Sequence, residues 1–168
     1  MASGEMFDSL GSQGLQRIVQ FRVKRGADLL AAITEAAKQE KIKAGVIVSG
    51  LGALDKAVFR NLRRWPASFP VQDKERIYLK IESPLELVSL TGWIAAKDAG
   101  QPEIHAHFAA STVEGETVRT YGGHLTPGTV AGIKTVVALA VVEEGSMQAV
   151  IEEETKTLDV VFKPDRRG

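Results

Sequence analysis

A chain of 168 residues, 44% hydrophobic and 25% charged, has the length and balance of one globular domain with a substantial core. It contains no cysteine, which excludes disulfides, iron–sulfur clusters and thiolate zinc sites. Its net charge of zero lacks the basic excess of most DNA-binding domains, yet residues 1–84 hold 14 Lys and Arg against 9 Asp and Glu, and residues 85–168 hold 7 against 12. Such a split suits the meeting of subunits or the building of a basic face.

In chain order, residues 1–14 are Gly/Ser-rich and unpatterned and read as a flexible lead. Met1 to Asp8 lacks the basic region and apolar stretch of a signal peptide. No apolar run reaches the roughly 20 residues of a membrane helix, so a cytoplasmic protein with no membrane partner is expected. Alternation over residues 16–23 predicts a strand. Asp28 then reads as the N-cap of a helix whose apolar face is Leu29, Leu30, Ile33, Ala36 and Ala37, running to Glu40. Val46-Ile47-Val48 predicts a buried strand, and Ser49-Gly50-Leu51-Gly52-Ala53 a sharp turn after it.

The rest of the pattern is β. Strands are expected at 56–62, 76–82, 85–95, 103–110, 117–121, 134–143, 147–153 and 156–162. The breaks fall at 63–73 (with Pro66 and Pro70), 98–100, 114–116, 126–128 and 144–145. One main helix among many short strands predicts an α+β fold with a mostly antiparallel sheet, over a single domain spanning 15–164 and a flexible tail at 165–168.

All three histidines fall within twenty residues, in Glu103-Ile104-His105-Ala106-His107-Phe108 and Gly122-Gly123-His124-Leu125. A strand's period of two turns His105 and His107 to one face, and His124, arriving from a glycine-flanked turn, would complete a three-imidazole metal site with an open position. Zinc leads among the metals, with iron, nickel and manganese also compatible with three imidazoles. The alternative is that each is an ordinary polar residue on a half-buried strand. A cupin also presents His-x-His on a strand, but its metal-binding Glu a few residues later has no counterpart in Phe108-Ala109-Ala110-Ser111-Thr112.

Other motifs are weaker. Gly50-Leu51-Gly52 lacks the third glycine and the helix of a dinucleotide fingerprint. Arg60-Asn61-Leu62-Arg63-Arg64-Trp65 is the densest basic patch; Arg60, Arg63 and Arg64 would meet phosphates and Trp65 a base, but a solvated loop or a subunit contact is the simpler reading. The Glu143-Glu144 and Glu152-Glu153-Glu154 clusters read as solvated turns and edge charges. No nucleophile–base pair is visible, which weighs against an enzyme. If there is chemistry, it is metal-assisted hydrolysis or hydration of a small molecule, with Glu86 or Glu103 as base.

Four segments together resemble the plants-and-prokaryotes conserved (PPC) domain, found also in AT-hook nuclear proteins. They are Gly26-Ala27-Asp28-Leu29-Leu30, Gly45 to Leu54, Glu86-Leu87-Val88-Ser89-Leu90-Thr91-Gly92, and the two histidine segments, within a match over about residues 16–163. The resemblance implies an α+β homotrimer whose stand-alone prokaryotic forms bind metal, often zinc, through the positions of His105, His107 and His124. It also implies that Glu86 lies near a subunit boundary or pocket, and Arg60 is a further ligand or interface residue in this reading. DNA-binding, the family's usual label, is inherited from its AT-hook members, and an AT-hook needs an Arg-Gly-Arg-Pro-like core to enter the minor groove. Lys24-Arg25-Gly26-Ala27 is the nearest approach here, so any DNA contact would come from an assembled basic surface. The expectation is therefore a trimeric metal-binding module, DNA-associated or regulatory, with a small-molecule ligand as a further partner.

Overall fold

The computed structural model describes residues 6–97 and 101–163. In chain order these form β1 (Leu15–Arg22), α1 (Leu29–Gln39), β2 (Ala44–Leu62), a 3-10 turn (Asp73–Glu75), β3 (Arg76–Ile81), β4 (Leu85–Ala96), β5 (Pro102–Glu114), β6 (Thr117–Leu125), β7 (Val130–Ala131), β8 (Val136–Val142), β9 (Met147–Ile151) and β10 (Leu158–Phe162). Among the described residues α1 is the one α-helix, so the α+β expectation holds.

The sheet runs β1-β8-β2-β6-β5-β4-β9-β10, and a further β2–β4 pairing closes the circuit β2-β6-β5-β4 on itself. All these pairings are antiparallel except a single parallel bridge between Ala96 and Gln148. The closure depends on β2, whose 19 residues serve two neighbourhoods. Its first half lies between β8 and β4, and its second half pairs with β3 and β6.

The sharp turn expected at Ser49–Ala53 does not form; β2 continues through it without a break. Register slips between Ile47 and Ser49 against β8, and Gly52 sits at φ +126°, so the glycines bend a continuous strand instead of ending it. A Cβ at Gly52 would strike the backbone of Lys134 and Thr135, and one at Gly50 would strike the Leu90 side chain. Close neighbours on both sides, which no local pattern reveals, are what these glycines serve.

Asp28 caps α1 as its position predicts. Its Oδ1 accepts from Ala31 N at 2.9 Å and its Oδ2 from Gly128 N at 2.6 Å, so one carboxylate also ties the helix start to the β6–β7 loop. Leu29, Ile33 and Ala37 of α1 are fully buried in a core with Ile47, Leu54, Phe59, Ile94, Phe108 and Leu139. Phe59 and Phe108 stack at 4.5 Å between centroids, fixing β2 against β5 directly beneath the histidines.

The remaining expectations fall out unevenly. Strands 103–110 and 117–121 extend to Glu114 and Leu125, and β7 is an added short strand. Of the 1–14 lead, residues 6–14 form neither helix nor strand, and Ser9 Oγ accepts from Phe162 N at 3.2 Å. Residues 1–5, the 98–100 break and the 165–168 tail lie outside the described residues. Glu144 pairs with Lys43 at 2.6 Å, and Glu152 accepts the backbone N–H groups of Glu154 and Thr155, making it a turn-forming residue.

Candidate metal centre

His105 and His107 stand two apart on β5 and share a face, as the strand period requires. His124 does not come from a turn: it is the penultimate residue of β6, directly opposite His107. The glycines before it are strand residues in close quarters. Asn61 of β2 donates to the Gly122 carbonyl at 2.8 Å, and a Cβ on Gly123 would collide with that same amide. Next across the sheet, Arg60 of β2 is the register partner of His124. Directly opposed residues put their side chains on one face, so Arg60, His124 and His107 form a row across three strands. His105 lies beside the row, opposite Trp93 of β4, whose indole stacks on it at 5.4 Å.

The three rings converge. One ring nitrogen from each lies within 4.8 Å of the other two, and His105 Nε2 and His107 Nε2 are hydrogen-bonded at 3.2 Å. Nitrogens bound tetrahedrally to one zinc at about 2.0–2.1 Å stand about 3.3 Å apart, so one pair already has ligand spacing and the third needs only a small ring adjustment. The donor set therefore fits a transition metal.

Its electrostatics fit too. Burial pushes the His124 imidazolium down to about 3, with His107, Arg60, His105 and Arg76 adding repulsion. Burial also lowers His105, helped by His107 and Arg60 and opposed by Asp159. His107 is lowered by burial and then by Arg60. Neutral imidazole is the form that binds metal, and near pH 7 all three are held in it.

The site opens into a cleft of about 640 Å³, within the usual range for small-molecule sites. His105, His124, Glu103 and Arg60 line it at the sheet. Trp65, Phe69 and Val71 from the β2–β3 connection and Leu158 at the start of β10 form apolar wall, and Arg76 and Lys156 add cations.

Of the other residues singled out from sequence, Arg60 and Glu103 join the site. Trp65 reaches the cleft although 77% exposed. Arg63 is exposed and Arg64 faces the buried Glu75 at 4.0 Å; neither lines the cleft. Glu86 is paired in register with Ala53 and Ser111 and is exposed, outside the cleft. Ser111 is four residues beyond His107 on β5, about 13 Å at a strand's rise, so Glu86 is no base for this centre. Sequence reasoning missed Trp93, Arg76, Phe69 and Lys156. Their distance along the chain leaves no local signal; strand register brings in Trp93 and Arg76, and the connections before β3 and β10 bring in Phe69 and Lys156.

The molecule is thus an α+β protein, its antiparallel sheet partly closed, with a three-histidine centre at the floor of a cleft. The chain belongs to the Plants and Prokaryotes Conserved domain family (abbreviated PCC or PPC), whose model matches residues 11–143. A metal-containing protein from Archaeoglobus fulgidus superposes with a TM-score of 0.72 at 24% identity, covering 91% of this chain and 99% of that one. A PPC protein from Pyrococcus horikoshii has a TM-score of 0.66 at 27% identity, covering 92% and 96%. A candidate DNA-binding protein from Ralstonia eutropha JMP134 has a TM-score of 0.66 at 20% identity, covering 86% and 90%. In sequence, the chain is 30% identical over 115 residues to the bifunctional protein GlmU of Synechococcus sp. (strain JA-3-3Ab), which is 68% of this chain and only 16% of that protein.

Proposed function

We propose that this protein is a metal-binding module, zinc being the favoured ion, in which His105, His107 and His124 hold the metal and the cleft above admits a small ligand. The convergence of three neutral imidazole nitrogens within 4.8 Å on an open cleft carries this reading. The Archaeoglobus fulgidus relative is a metal-containing protein, which is in line with this reading. When bound, the metal would supply a Lewis-acidic position; the chain's own groups orient the imidazoles and shape what reaches them.

The assembly in this reading is a homotrimer, in a cytoplasmic setting. The exposed side chains of Val46, Val48 and Leu51 on β2 and Val88 on β4 support a further subunit, since they leave apolar surface on the central strands in contact with water. A solution mass three times the 18.1 kDa chain is the expected result of light scattering, and a monomer would refute it. The DNA-associated or regulatory role rests on the Ralstonia relative and on exposed Arg63 and Trp65. It predicts duplex binding that weakens steeply with salt.

A second reading, hydrolysis or hydration of a small molecule, is favoured by one observation: Glu103 shares the β5 face of His105 and His107 and lines the same cleft. The first test is metal content per chain of gently purified protein beside a His105→Ala/His107→Ala variant. One equivalent in the parent and none in the variant is expected. A parent that takes up no zinc even on incubation refutes the metal site, leaving three strand-face histidines.

A further inference from the structure

Three neutral imidazoles leave the full double charge of a divalent ion uncompensated, unlike sites that include a carboxylate. This chain adds to that charge. Arg60 is the cross-strand partner of His124 and lines the same cleft as His105 and His124, so its side chain shares the face of the centre. Among the described residues it forms no ion pair with any carboxylate. Arg76, held by Asp73 at 3.2 Å, and Lys156 line the same cleft; Glu103 is the acid on its wall, and Asp159 acts on His105 from beyond it. The cleft lining therefore carries three cations, Arg60, Arg76 and Lys156, against the one acid Glu103. Apolar residues line the cleft too, and two of its rings are uncovered: Trp65 is 77% and Phe69 38% exposed.

We propose that the cleft binds a small organic carboxylate with an apolar body, its carboxylate shared between the metal held by the three histidines and the Arg60 guanidinium, and its body lying against Trp65, Phe69 and Leu158. The inference rests on the metal-binding reading and names its ligand class. A guanidinium's planar fork matches the two oxygens of a carboxylate. A cleft of about 640 Å³ is far larger than an inorganic anion fills, and its aromatic wall rewards an apolar body over bare acetate or phosphate.

The test uses the full chain loaded with cobalt(II), whose visible absorption responds to its ligands, titrated with phenylacetate, acetate and inorganic phosphate. Phenylacetate is expected to perturb the spectrum and to bind about tenfold more tightly than the other two. Arg60→Gln should retain one equivalent of cobalt, which also reports a folded site, while weakening phenylacetate by about tenfold or more. Arg60→Lys should fall between the two, and Trp65→Ala should erase the advantage of phenylacetate over acetate. Cobalt bound but silent to phenylacetate overturns this inference and leaves the metal site standing. So does an unchanged midpoint in Arg60→Gln, or phosphate binding more tightly than phenylacetate. A parent that binds no cobalt overturns the metal reading and the bridged carboxylate with it.

Discussion

Lowering the pH from 7.5 to 5.5 should weaken zinc binding far less than it does at an ordinary three-histidine site. A metal competes with protons for each ring nitrogen, so the relevant quantity is the protonation of the metal-free imidazoles. With ordinary pKa values near 6.5, about nine tenths of each ring is protonated at pH 5.5, and clearing three rings costs about a thousandfold in affinity. Here burial and the surrounding positive charge hold His124 down to about 3, so at pH 5.5 it has no proton to displace. That leaves at most about a hundredfold from two ordinary rings, and less because burial lowers His105 and His107 as well. The expected loss is therefore well under a hundredfold. Competition against a chromophoric chelator of known proton affinity, run at both pH values, measures it directly. A thousandfold loss would refute the argument, because it would mean that the rings are hydrated and independent in the free protein.

The same shift reaches the stability of metal-stripped protein. His124 has a lower pKa folded than unfolded, so the unfolded chain binds more protons between about pH 3 and 6.5, and stability is full above that window and lost as pH falls through it. Urea unfolding should show a loss of at most ~2 kcal/mol from this residue between pH 7 and pH 5, reduced by solvent screening, and His124→Gln should flatten the profile. Asp28→Ala removes a helix cap and the tie to Gly128 together, so a loss of about 1–2 kcal/mol is expected in urea melts; a change under a few tenths would show that water replaces both bonds. Phe59→Ala should cost about 3–5 kcal/mol and, by loosening β2 against β5, weaken metal uptake as well; intact zinc affinity in a destabilised variant would separate the site from the ring stack.

Much of the site's chemistry was legible because it is local. A strand's two-residue period alone puts His105 and His107 on one face, and Asp28 before an apolar helical face marks a cap wherever the helix packs. Alternation also revealed most of the strands, since each half-buried strand must alternate to satisfy core and solvent. What it could not reveal was where one strand lies against another. Gly50-Leu51-Gly52 has the composition of a turn, and only the neighbours Leu90 and Lys134 explain why it is instead the bend in a long strand. β2 keeps β4 as a partner on both sides of these glycines and then runs on to pair with β6, setting Arg60 opposite His124. Arg76, Trp93 and Lys156 likewise reach the centre through register and packing, which depend on side chains far apart in the chain. The sequence by itself determined the three candidate ligands and the face that His105 and His107 share. The tertiary structure decided what surrounds them, because the charge and shape of a cleft belong to no single segment.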